Sequence, residues 1–358
     1  MIDLVCGARP NFMKVDPVAR QLRGRLRLRL VHTGQHYDHH MSRSFFDQLG
    51  LPRPDVNLGV GSASLTTQTA LVMQRYEEVA ADRALQAVVV VGDVNSTLAC
   101  ALTAVRLGLP VAHVEAGLRS FDRSMPEEVN RVLTDQLSDL LLITSEEARD
   151  NLVGEGRPEG SIVMVGNPMI DTLKRLLPRS EEGPLQPPEE PFGLVTLHRP
   201  SNVDDRERLS EILSALGLLD DYVIVFPAHP RTLEAVERWG LDGCVPGNVR
   251  MSGPMDYLSF INHERKAAFV LTDSGGIQEE TSVLGVPCVT IRPNTERPVT
   301  LTAGTNVLCP DPSQIPERVR RQLETLSGGP CEIPYWDGRA GARIAAAIVD
   351  LVERSQLG

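Results

Sequence analysis

The chain has 358 residues, of which 42% are hydrophobic and 23% are charged, and it carries a formal net charge of −11. This length exceeds what one hydrophobic core usually supports, so two domains are expected. The acidic balance excludes a general nucleic-acid or anionic-membrane binder, because such proteins need broad basic surfaces, and an anionic ligand would therefore need a local cluster of cations.

Strand-like and helix-like segments alternate along the first half of the chain. Short apolar runs predict strands at residues 2–6, 28–32, 87–91, 111–114, 140–143 and 162–165. Amphipathic segments between them predict helices at residues 12–22, 96–107, 127–137 and 146–152. Fully apolar strands that alternate with helices are typical of a parallel sheet covered on both faces.

The alternation stops at residues 178–191, which hold five prolines and four glutamates and predict a polar interdomain linker. It restarts with predicted strands at 193–197, 222–226, 268–271 and 287–291, and a last helix is predicted at about 340–353. We therefore expect an α/β fold of two doubly wound, Rossmann-like domains, residues 1–177 and 192–339, with a central cleft. Ligands of such sheets bind at the carboxyl ends of the strands, so the residues that follow strands are candidates.

The first predicted strand ends in a tight turn that carries two cations. Residues 7–14 read Gly-Ala-Arg-Pro-Asn-Phe-Met-Lys, which places Arg9 and Lys14 where an anion at a helix N-terminus could meet them. A surface turn with two solvated cations is the alternative. The turn does not match G-x-G-x-x-G, the fingerprint of dinucleotide-binding sheets. A similar string at residues 59–64 lacks the third glycine. We therefore expect no bound NAD and no other cofactor.

Three carboxylates follow at the next strand ends. Asp93 comes after the strand at 87–91, Glu115 lies at the end of the strand at 111–114, and Glu127 opens the next helix. Asp93 could be only a helix cap, and Glu127 could serve only the helix dipole. A glutamate at the end of an apolar strand is harder to explain as an ordinary exposed surface residue. Because the three could converge on one edge of the sheet, we predict that they form a site.

Two histidines follow strands of the second half. His198 comes after the predicted strand at 193–197, His229 comes after the strand at 222–226, and an arginine accompanies each of them. A single histidine after a strand is usually structural. Two at equivalent strand ends indicate a rim that faces a ligand.

A Ser-Gly-Gly turn follows the predicted strand at 268–271. Ser274, Gly275 and Gly276 open a helix, whose free backbone N–H groups could bind a diphosphate. Glu280 lies about two turns into this helix, where it could accept hydrogen bonds from both hydroxyls of a ribose. Arg297 could bring another cation to the same anion.

The cysteine pattern argues against a metal or redox site. The six cysteines form no C-x-x-C pair and no metal-ligand spacing, and several lie in apolar stretches that favour buried free thiols. The N-terminal apolar run is too short for a signal peptide, and the longest apolar runs are far shorter than a membrane span. We expect a cytoplasmic protein with no metal site and no membrane partner.

Together, these strings resemble those of the non-hydrolysing UDP-N-acetylglucosamine 2-epimerases, which have a glycosyltransferase-B-like fold. The resemblance runs from residue 7 to residue 339. Its strings are Thr-Gly-Gln-His at 33–36, His-Val-Glu-Ala-Gly-Leu-Arg at 113–119, Pro-Glu-Glu at 126–128, Gly-Asn-Pro at 166–168, the segment 273–280 and Thr-Glu-Arg-Pro at 295–298. The resemblance implies a UDP-sugar substrate, a homodimer, a role in supplying precursors for cell-surface polysaccharide, and a last helix, 340–358, that completes the first domain.

The resemblance, carried over position by position, implies two sets of site residues. The residues implied to hold UDP are Arg9, His229, Ser274, Glu280 and Arg297. The residues implied to lie at the reacting sugar are Lys14, Asp93, Glu115, Glu127 and His198. The proton at C2 is not next to a carbonyl, and the NAD fingerprint is missing. Elimination and re-addition of UDP, with acid and base groups near C2, is the remaining route.

The sequence departs from the family pattern at a few positions. Asn11 stands where many members have Glu, and Pro200-Ser201 stand where Arg-Glu is common. Some bacterial members bind a second UDP-sugar as an activator through Gln-x-x-Gln and a nearby arginine. Here Gln35 is followed by Asp38, and residues 60–74 contain no arginine, so activation of that kind is not expected.

Three other functions fit the same fold. They are a 2-epimerase for a modified UDP-sugar of the diacetamido-uronate type, a glycosyltransferase, and a non-catalytic UDP-sugar sensor. The segments 279–280 and 295–298 favour the N-acetylglucosamine type. A glycosyltransferase would often carry an apolar membrane-facing patch, which the sequence does not show, and a sensor would not need three carboxylates at the sugar.

Overall fold

A computed structural model describes residues 1–7, 9–34, 50, 53–61, 63–326 and 329–355, with only the backbone of residues 9 and 10. The chain divides into two compact units: unit 1 comprises Met1–Arg175 with Pro334–Gly358, and unit 2 comprises Leu176–Ile333. Within the described ranges, no helix is both long enough and apolar enough to cross a membrane.

The sheet of unit 1 is parallel and has the order β3-β2-β1-β4-β5-β6-β7. Its strands are β1 Ile2–Cys6, β2 Leu28–His32, β3 Val56–Asn57, β4 Ala87–Val91, β5 Val111–Ala116, β6 Leu140–Ile143 and β7 Ile162–Met164. Its helices are α1 Arg9–Leu22, α2 Leu65–Ala80, α3 Asn95–Arg106, α4 Pro126–Leu137, α5 Glu146–Gly154 and α6 Pro168–Leu176, with a short 3₁₀ helix at Glu159–Ser161. Strands β1, β4, β5 and β6 are buried at every residue, as strands covered on both faces must be.

The sheet of unit 2 is also parallel and has the order β10-β9-β8-β11-β12-β13. Its strands are β8 Phe192–Thr196, β9 Val223–Pro227, β10 Val249–Ser252, β11 Phe269–Thr272, β12 Cys288–Thr290 and β13 Asn306–Leu308. Its helices are α7 Pro200–Val203, α8 Arg206–Gly217, α9 Pro230–Arg238, α10 Tyr257–Lys266, α11 Gly275–Leu284, α12 Val299–Thr302 and α13 Ile315–Thr325, with 3₁₀ helices at Leu177–Glu182, Asp242–Cys244 and Pro312–Gln314. Both sheets reverse their strand order beside the first strand, which confirms two doubly wound α/β sheets.

Each unit has a core in which helix side chains pack on strand side chains. In unit 1, Val72 and Tyr76 of α2 belong to one cluster with Val88 of β4. In unit 2, Ile212 of α8 clusters with Phe226 of β9. Each large side chain that is fully buried contributes about 1.5–3 kcal/mol of hydrophobic stabilisation, so these clusters anchor the helices on their sheets.

Residues 178–191 differ from the predicted linker, because they belong to unit 2. The 3₁₀ helix at Leu177–Glu182 packs against α10. A Cβ atom at Gly183 would lie 2.5 Å from the backbone nitrogen of Ser259, so only glycine permits this approach. The backbone N–H of Leu185 donates to Oγ of Ser259 at 3.1 Å, and Nδ2 of Asn262 donates to Oε1 of Gln186 at 3.0 Å. Helix α10 thus satisfies polar groups that a free linker would expose to water.

The chain returns to unit 1 at Pro334, and the last helix that the structure describes is α14, Ala340–Ser355. Helix α14 packs on α1, where a Cβ atom at Gly341 would lie 2.7 Å from the carbonyl oxygen of Pro17. The carboxylate of Asp171 caps α14 by accepting hydrogen bonds from its first two N–H groups, at 3.0 and 2.8 Å. The N-terminal end of this helix is therefore fixed by unit 1 residues.

Candidate functional site

Gly92, directly after β4, is the point where polar groups from α1 and β5 of unit 1 meet. Its φ is 69°, in the left-handed region. A Cβ atom here would lie 3.1 Å from Nδ2 of Asn11, 3.5 Å from Oε2 of Glu115 and 3.6 Å from Nζ of Lys14. Since both the backbone conformation and the lack of space require glycine, this residue allows α1, β4 and β5 to bring these groups together.

Glu115 lies on a bulge at the carboxyl end of β5. Its φ is 72°, and the register between β5 and β6 shifts between Val114 and Ala116. The side chain is buried and forms an ion pair with Nζ of Lys14, which is also buried. Left-handed backbone at a non-glycine residue costs about 1–3 kcal/mol and is concentrated at active sites. The bulge re-aims the carboxylate into the same small space as the lysine, an arrangement suited to proton transfer.

Asp93 is held by helix α4 and does not cap helix α3. The N-cap residue of α3 is Val94, and no side chain caps this helix. Oδ2 of Asp93 accepts hydrogen bonds from Nη2 and Nε of Arg131, at 2.6 and 3.0 Å, and Nδ2 of Asn130 donates to its carbonyl oxygen at 2.9 Å. The Asp93 side chain is 28% exposed, so its position is fixed while one side faces solvent.

The two glutamates that open α4 have different environments. Glu127 is exposed in the first turn. Glu128 is buried, and its carboxylate accepts hydrogen bonds from the backbone N–H groups of Ser120 and Phe121, at 2.9 and 2.8 Å, and from Nη1 of Arg131, at 2.6 Å. Glu128 therefore fixes the preceding loop and the arginine that holds Asp93. Sequence reasoning did not assign it a role.

A buried His–Asp pair lies behind Gly92 and was also missed. Nδ1 of His113 lies 2.7 Å from Oδ1 of Asp135, and its Nε2 lies 2.9 Å from the carbonyl oxygen of Gly92. Each ring nitrogen therefore faces an oxygen atom, which fixes the orientation of the buried ring. Burial would raise the pKa of Asp135, but His113 and Arg119 lower it below its ordinary value. These charges fix the turn that carries Asp93.

In unit 2, Asp273 organises the turn that follows β8. It is fully buried after β11, and its carboxylate accepts hydrogen bonds from the backbone N–H groups of His198 and Arg199, at 3.1 and 2.9 Å, and from Nδ2 of Asn202 at 3.1 Å. Nδ1 of His198 lies 2.9 Å from Oδ1 of Asp273, while 44% of the histidine side chain is exposed. Burial would raise the pKa of Asp273, but His198 and the N–H donors hold it below its ordinary value.

His229 lies beside His198, as expected for residues that follow neighbouring strands. Their ring centroids are 6.0 Å apart. Nδ1 of His229 caps α9 by accepting a hydrogen bond from the backbone N–H of Arg231 at 3.2 Å, which places the ring hydrogen on Nε2. The two predicted histidines therefore lie on one rim of unit 2.

Helix α11 begins with Gly275 and Gly276 after the N-cap residue Ser274, whose side chain does not cap the helix. Arg297 lies against this first turn, because a Cβ atom at Gly275 would lie only 2.5 Å from its Nη1. Nη1 of Arg297 donates to Oε1 of Glu296 at 2.6 Å. Uncapped N–H groups beside a guanidinium form an arrangement that binds phosphate.

Glu280 is buried on α11, where Oε1 accepts a hydrogen bond from the hydroxyl of Tyr257 at 2.6 Å. Burial raises the pKa of Glu280 to about 7, and the tyrosine hydroxyl opposes this rise. Tyr257, on α10, could not be identified from its sequence context because only the packing of α10 beside α11 brings its hydroxyl to Glu280.

Some predicted residues fall outside this description. Arg9 begins α1, but its side chain lies outside the part of the chain that the structure describes, as do Gln35, His36 and Asp38 altogether. Among the residues that are described, no group of three or more His, Cys, Asp or Glu side chains could hold a metal ion.

Comparisons with known proteins agree on one family. The family described as UDP-N-acetylglucosamine 2-epimerase matches residues 19–349. The UDP-N-acetylglucosamine 2-epimerase of Methanococcus maripaludis is 39% identical over 95% of this chain and 96% of that protein. The UDP-2,3-diacetamido-2,3-dideoxy-D-glucuronate 2-epimerase of Pseudomonas aeruginosa is 40% identical over 97% of this chain and 99% of that protein. The crystal structure of Methanocaldococcus jannaschii UDP-GlcNAc 2-epimerase in complex with UDP-GlcNAc and UDP matches with a TM-score of 0.88 at 37% identity, over 97% of this chain and 99% of that chain.

Proposed function

The chain belongs to the UDP-N-acetylglucosamine 2-epimerase family, and we propose that it interconverts UDP-N-acetylglucosamine and UDP-N-acetylmannosamine. One observation carries the proposal beyond family membership. Glu115 and Lys14 form a buried ion pair on a bulged, left-handed strand end, where the fold places ligands. A strained acid beside a buried cation supports proton transfer at a bound sugar.

The proposed reaction is an elimination followed by a re-addition. A carboxylate removes the proton from C2, the electron pair of that C–H bond forms the C1=C2 double bond, and the C1–O bond breaks so that UDP leaves. UDP then adds back to C1 of the 2-acetamidoglucal while a proton is returned to the opposite face of C2. The cycle consumes no oxidant, reductant or water.

We assign proton transfer to the carboxylates of unit 1. Glu115 is the candidate base because Lys14 fixes it, and Asp93 is a second candidate because Arg131 orients it. Glu127 is exposed in the first turn of α4, where a substrate could reach it. In this proposal one of these groups takes the proton from C2 and another returns it. His198, oriented by a buried carboxylate, is assigned to the sugar or the diphosphate.

We assign nucleotide binding mainly to unit 2. The uncapped first turn of α11 and the adjacent Arg297 support diphosphate binding, and stabilisation of a departing diphosphate by such donors lowers the barrier to elimination. Glu280 is assigned to the ribose hydroxyls. The complete set of residues assigned to UDP is Arg9, His229, Ser274, Gly275, Gly276, Glu280 and Arg297.

The family resemblance also implies a setting for the reaction, which we include in the proposal. The protein is expected to be a cytoplasmic homodimer that supplies precursors for cell-surface polysaccharide. Its six cysteines are free thiols, which supports a reducing compartment. Light scattering coupled to size-exclusion chromatography tests the dimer, and a single peak at the monomer mass of 39.2 kDa would contradict it.

A second candidate substrate is UDP-2,3-diacetamido-2,3-dideoxy-D-glucuronate. The relative that carries this name is about as similar to the chain as the one named for UDP-N-acetylglucosamine, at 40% and 39% identity. The segments 279–280 and 295–298 support the simpler sugar. The chemistry at C2 is the same in both cases, so only the sugar differs.

Product analysis with both substrates tests the proposal. The purified protein is incubated with each UDP-sugar, and products are separated by anion-exchange chromatography. We expect UDP-N-acetylmannosamine to accumulate to equilibrium, with a higher kcat/KM than for the uronate. Turnover of the uronate alone would favour the second candidate. Free N-acetylmannosamine with UDP would indicate a hydrolysing enzyme, and unchanged UDP-N-acetylglucosamine would contradict the assignment of this sugar.

A further inference from the structure

Gln278, on α11, carries a fully buried amide that the proposed reaction does not use. Its Nε2 donates a hydrogen bond to the carbonyl oxygen of Ser274, the N-cap residue of the same helix, at 3.3 Å. Its Oε1 accepts hydrogen bonds from Oγ1 of Thr295 at 2.7 Å and from Nδ2 of Asn306 at 3.0 Å. One side chain therefore joins the first turn of α11 to segments that lie 17 and 28 residues further along the chain.

Two hydroxyl groups connect this amide to the backbone of Arg297. Oγ1 of Thr295 donates to Gln278 and accepts a hydrogen bond from the backbone N–H of Arg297 at 3.1 Å. A hydroxyl can do both at once, because it has one hydrogen and two lone pairs. On the other side, Nδ2 of Asn306 also donates to Oγ1 of Thr300 at 3.2 Å, and that hydroxyl donates to the carbonyl oxygen of Arg297 at 2.8 Å. The network therefore fixes both polar groups of the Arg297 backbone.

The guanidinium of Arg297 is oriented by two buried carboxylates. Its Nε donates to Oε1 of Glu279, and its Nη1 donates to Oε1 of Glu296, both at 2.6 Å. Glu279 follows Gln278 on α11, so the ion pair and the amide network tie Arg297 to the same helix. Buried polar networks whose members are hydrogen-bonded in several directions are rigid. The guanidinium is thus fixed beside Gly275 in the first turn of α11.

We propose that Gln278 is a positioning residue that acts through Thr295 to hold Arg297 beside the first turn of α11, so that the guanidinium and the helix N–H groups bind the diphosphate as one preformed unit. This inference rests on the proposed diphosphate-binding role of Arg297. Donors that are already in place lose less conformational entropy when the ligand binds. They also need less reorganisation when charge develops on the departing diphosphate.

Substitutions at two positions test this role. Thr295→Val keeps the branched shape and removes the hydroxyl, whereas Thr295→Ser keeps the hydroxyl. Gln278→Met removes the amide at similar length. Thr281→Val is the matched control, because the buried Thr281 hydroxyl donates only to carbonyl oxygens of its own helix, α11. Thermal unfolding measures the stability of each variant, and the Thr295 pair decides the proposal by itself if Gln278→Met does not fold.

Affinities for UDP and for uridine are measured by titration calorimetry and by NMR titration. We expect Thr295→Val and Gln278→Met to bind UDP about three- to tenfold more weakly than the parent protein, the range for losing one net hydrogen bond. Thr295→Ser and Thr281→Val should bind UDP like the parent protein. Uridine has no diphosphate, so all variants should bind it equally. Unchanged UDP affinity in Thr295→Val, or an equal loss for both ligands, would overturn the positioning role.

Hydrogen exchange without ligand tests the network independently of binding. Mass spectrometry of peptides that span Arg297 should show faster exchange in Thr295→Val than in the parent protein or Thr295→Ser, because the Arg297 N–H loses its acceptor. Equal exchange in all three proteins would overturn the inference. If exchange is faster as expected but the parent protein binds UDP no more tightly than uridine, the proposed nucleotide site fails while the hold on Arg297 stands.

Discussion

Replacement of Glu115 by glutamine tests proton transfer at the carboxyl edge of the unit 1 sheet. The amide cannot accept a proton from C2, so kcat should fall by about 10²- to 10⁴-fold, the usual contribution of a general acid or base. Glu115 is 5% exposed and paired with Lys14. Removal of one partner of a buried ion pair costs about 3–5 kcal/mol of unfolding free energy. The loss in Glu115→Gln should be at or below the low end of this range, because glutamine keeps the shape of the side chain and one acceptor oxygen.

Asp3→Asn is the matched control for this loss of stability. Asp3 is a fully buried carboxylate on β1 of the same sheet, and it accepts hydrogen bonds from Arg29 at 2.7 and 2.9 Å and from the hydroxyl of Tyr76 at 3.0 Å. It lies near the amino end of its strand, away from the reacting groups. We expect both variants to lose stability but only Glu115→Gln to lose turnover, as measured by thermal unfolding and product chromatography. Unchanged turnover in Glu115→Gln, or an equal fall of kcat in both variants, would contradict a role of Glu115 in proton transfer.

Three further predictions concern backbone space and protonation. Gly92→Ala should destabilise unit 1 by about 1–2 kcal/mol, because an L-residue disfavours left-handed backbone. It should also lower kcat, since the added methyl group lies 3.5 Å from Oε2 of Glu115. Unchanged kinetics would contradict this prediction. Gly275→Ala places a methyl 2.5 Å from Nη1 of Arg297 and should weaken UDP binding in calorimetry, so an unaltered affinity counts against the phosphate site. The unfolding free energy should fall as pH rises above about 5, because burial raises the pKa of Glu264, on α10, and lets the native state keep a proton that the unfolded chain releases. The unfolding free energy should fall by up to about 1.4 kcal/mol per pH unit for one proton. Chemical denaturation at several pH values should show a smaller fall per pH unit in Glu264→Gln. Equal slopes in the two proteins would refute the prediction.

The sequence was sufficient to predict the central strands and the doubly wound fold, because fully buried parallel strands are continuous apolar runs. The strands that it missed, β3, β10 and β13, are short edge strands, and each of them contains partly buried or exposed residues. A strand that is covered on fewer sides does not need a continuous apolar run, so its pattern is not distinctive. The prolines and glutamates of residues 178–191 indicated exposure, and most of these residues are exposed. Their attachment to unit 2 could not be predicted, because it depends on Ser259, far along the chain.

The candidate site was only partly predictable. The residues after strands could be identified from their order alone, which is why Asp93, Glu115 and Ser274 were named. The bulge at Glu115 could not be predicted from the sequence, because a register shift is set by the pairing with the neighbouring strand β6. Glu128 is one of two adjacent glutamates that open α4. Its structural role could not be told from the sequence. Glu264 stands in a run of charged residues typical of an exposed helix face, and only tertiary packing buries it.

The central claim is that the chain inverts C2 by removing and returning its proton. Incubation with UDP-N-acetylglucosamine in D₂O, followed by proton NMR, tests it most directly. We expect deuterium to replace the proton at C2 while UDP-N-acetylmannosamine forms, because the returned proton comes from an exchangeable group. Formation of UDP-N-acetylmannosamine with its original C2 proton retained would contradict the proposed elimination.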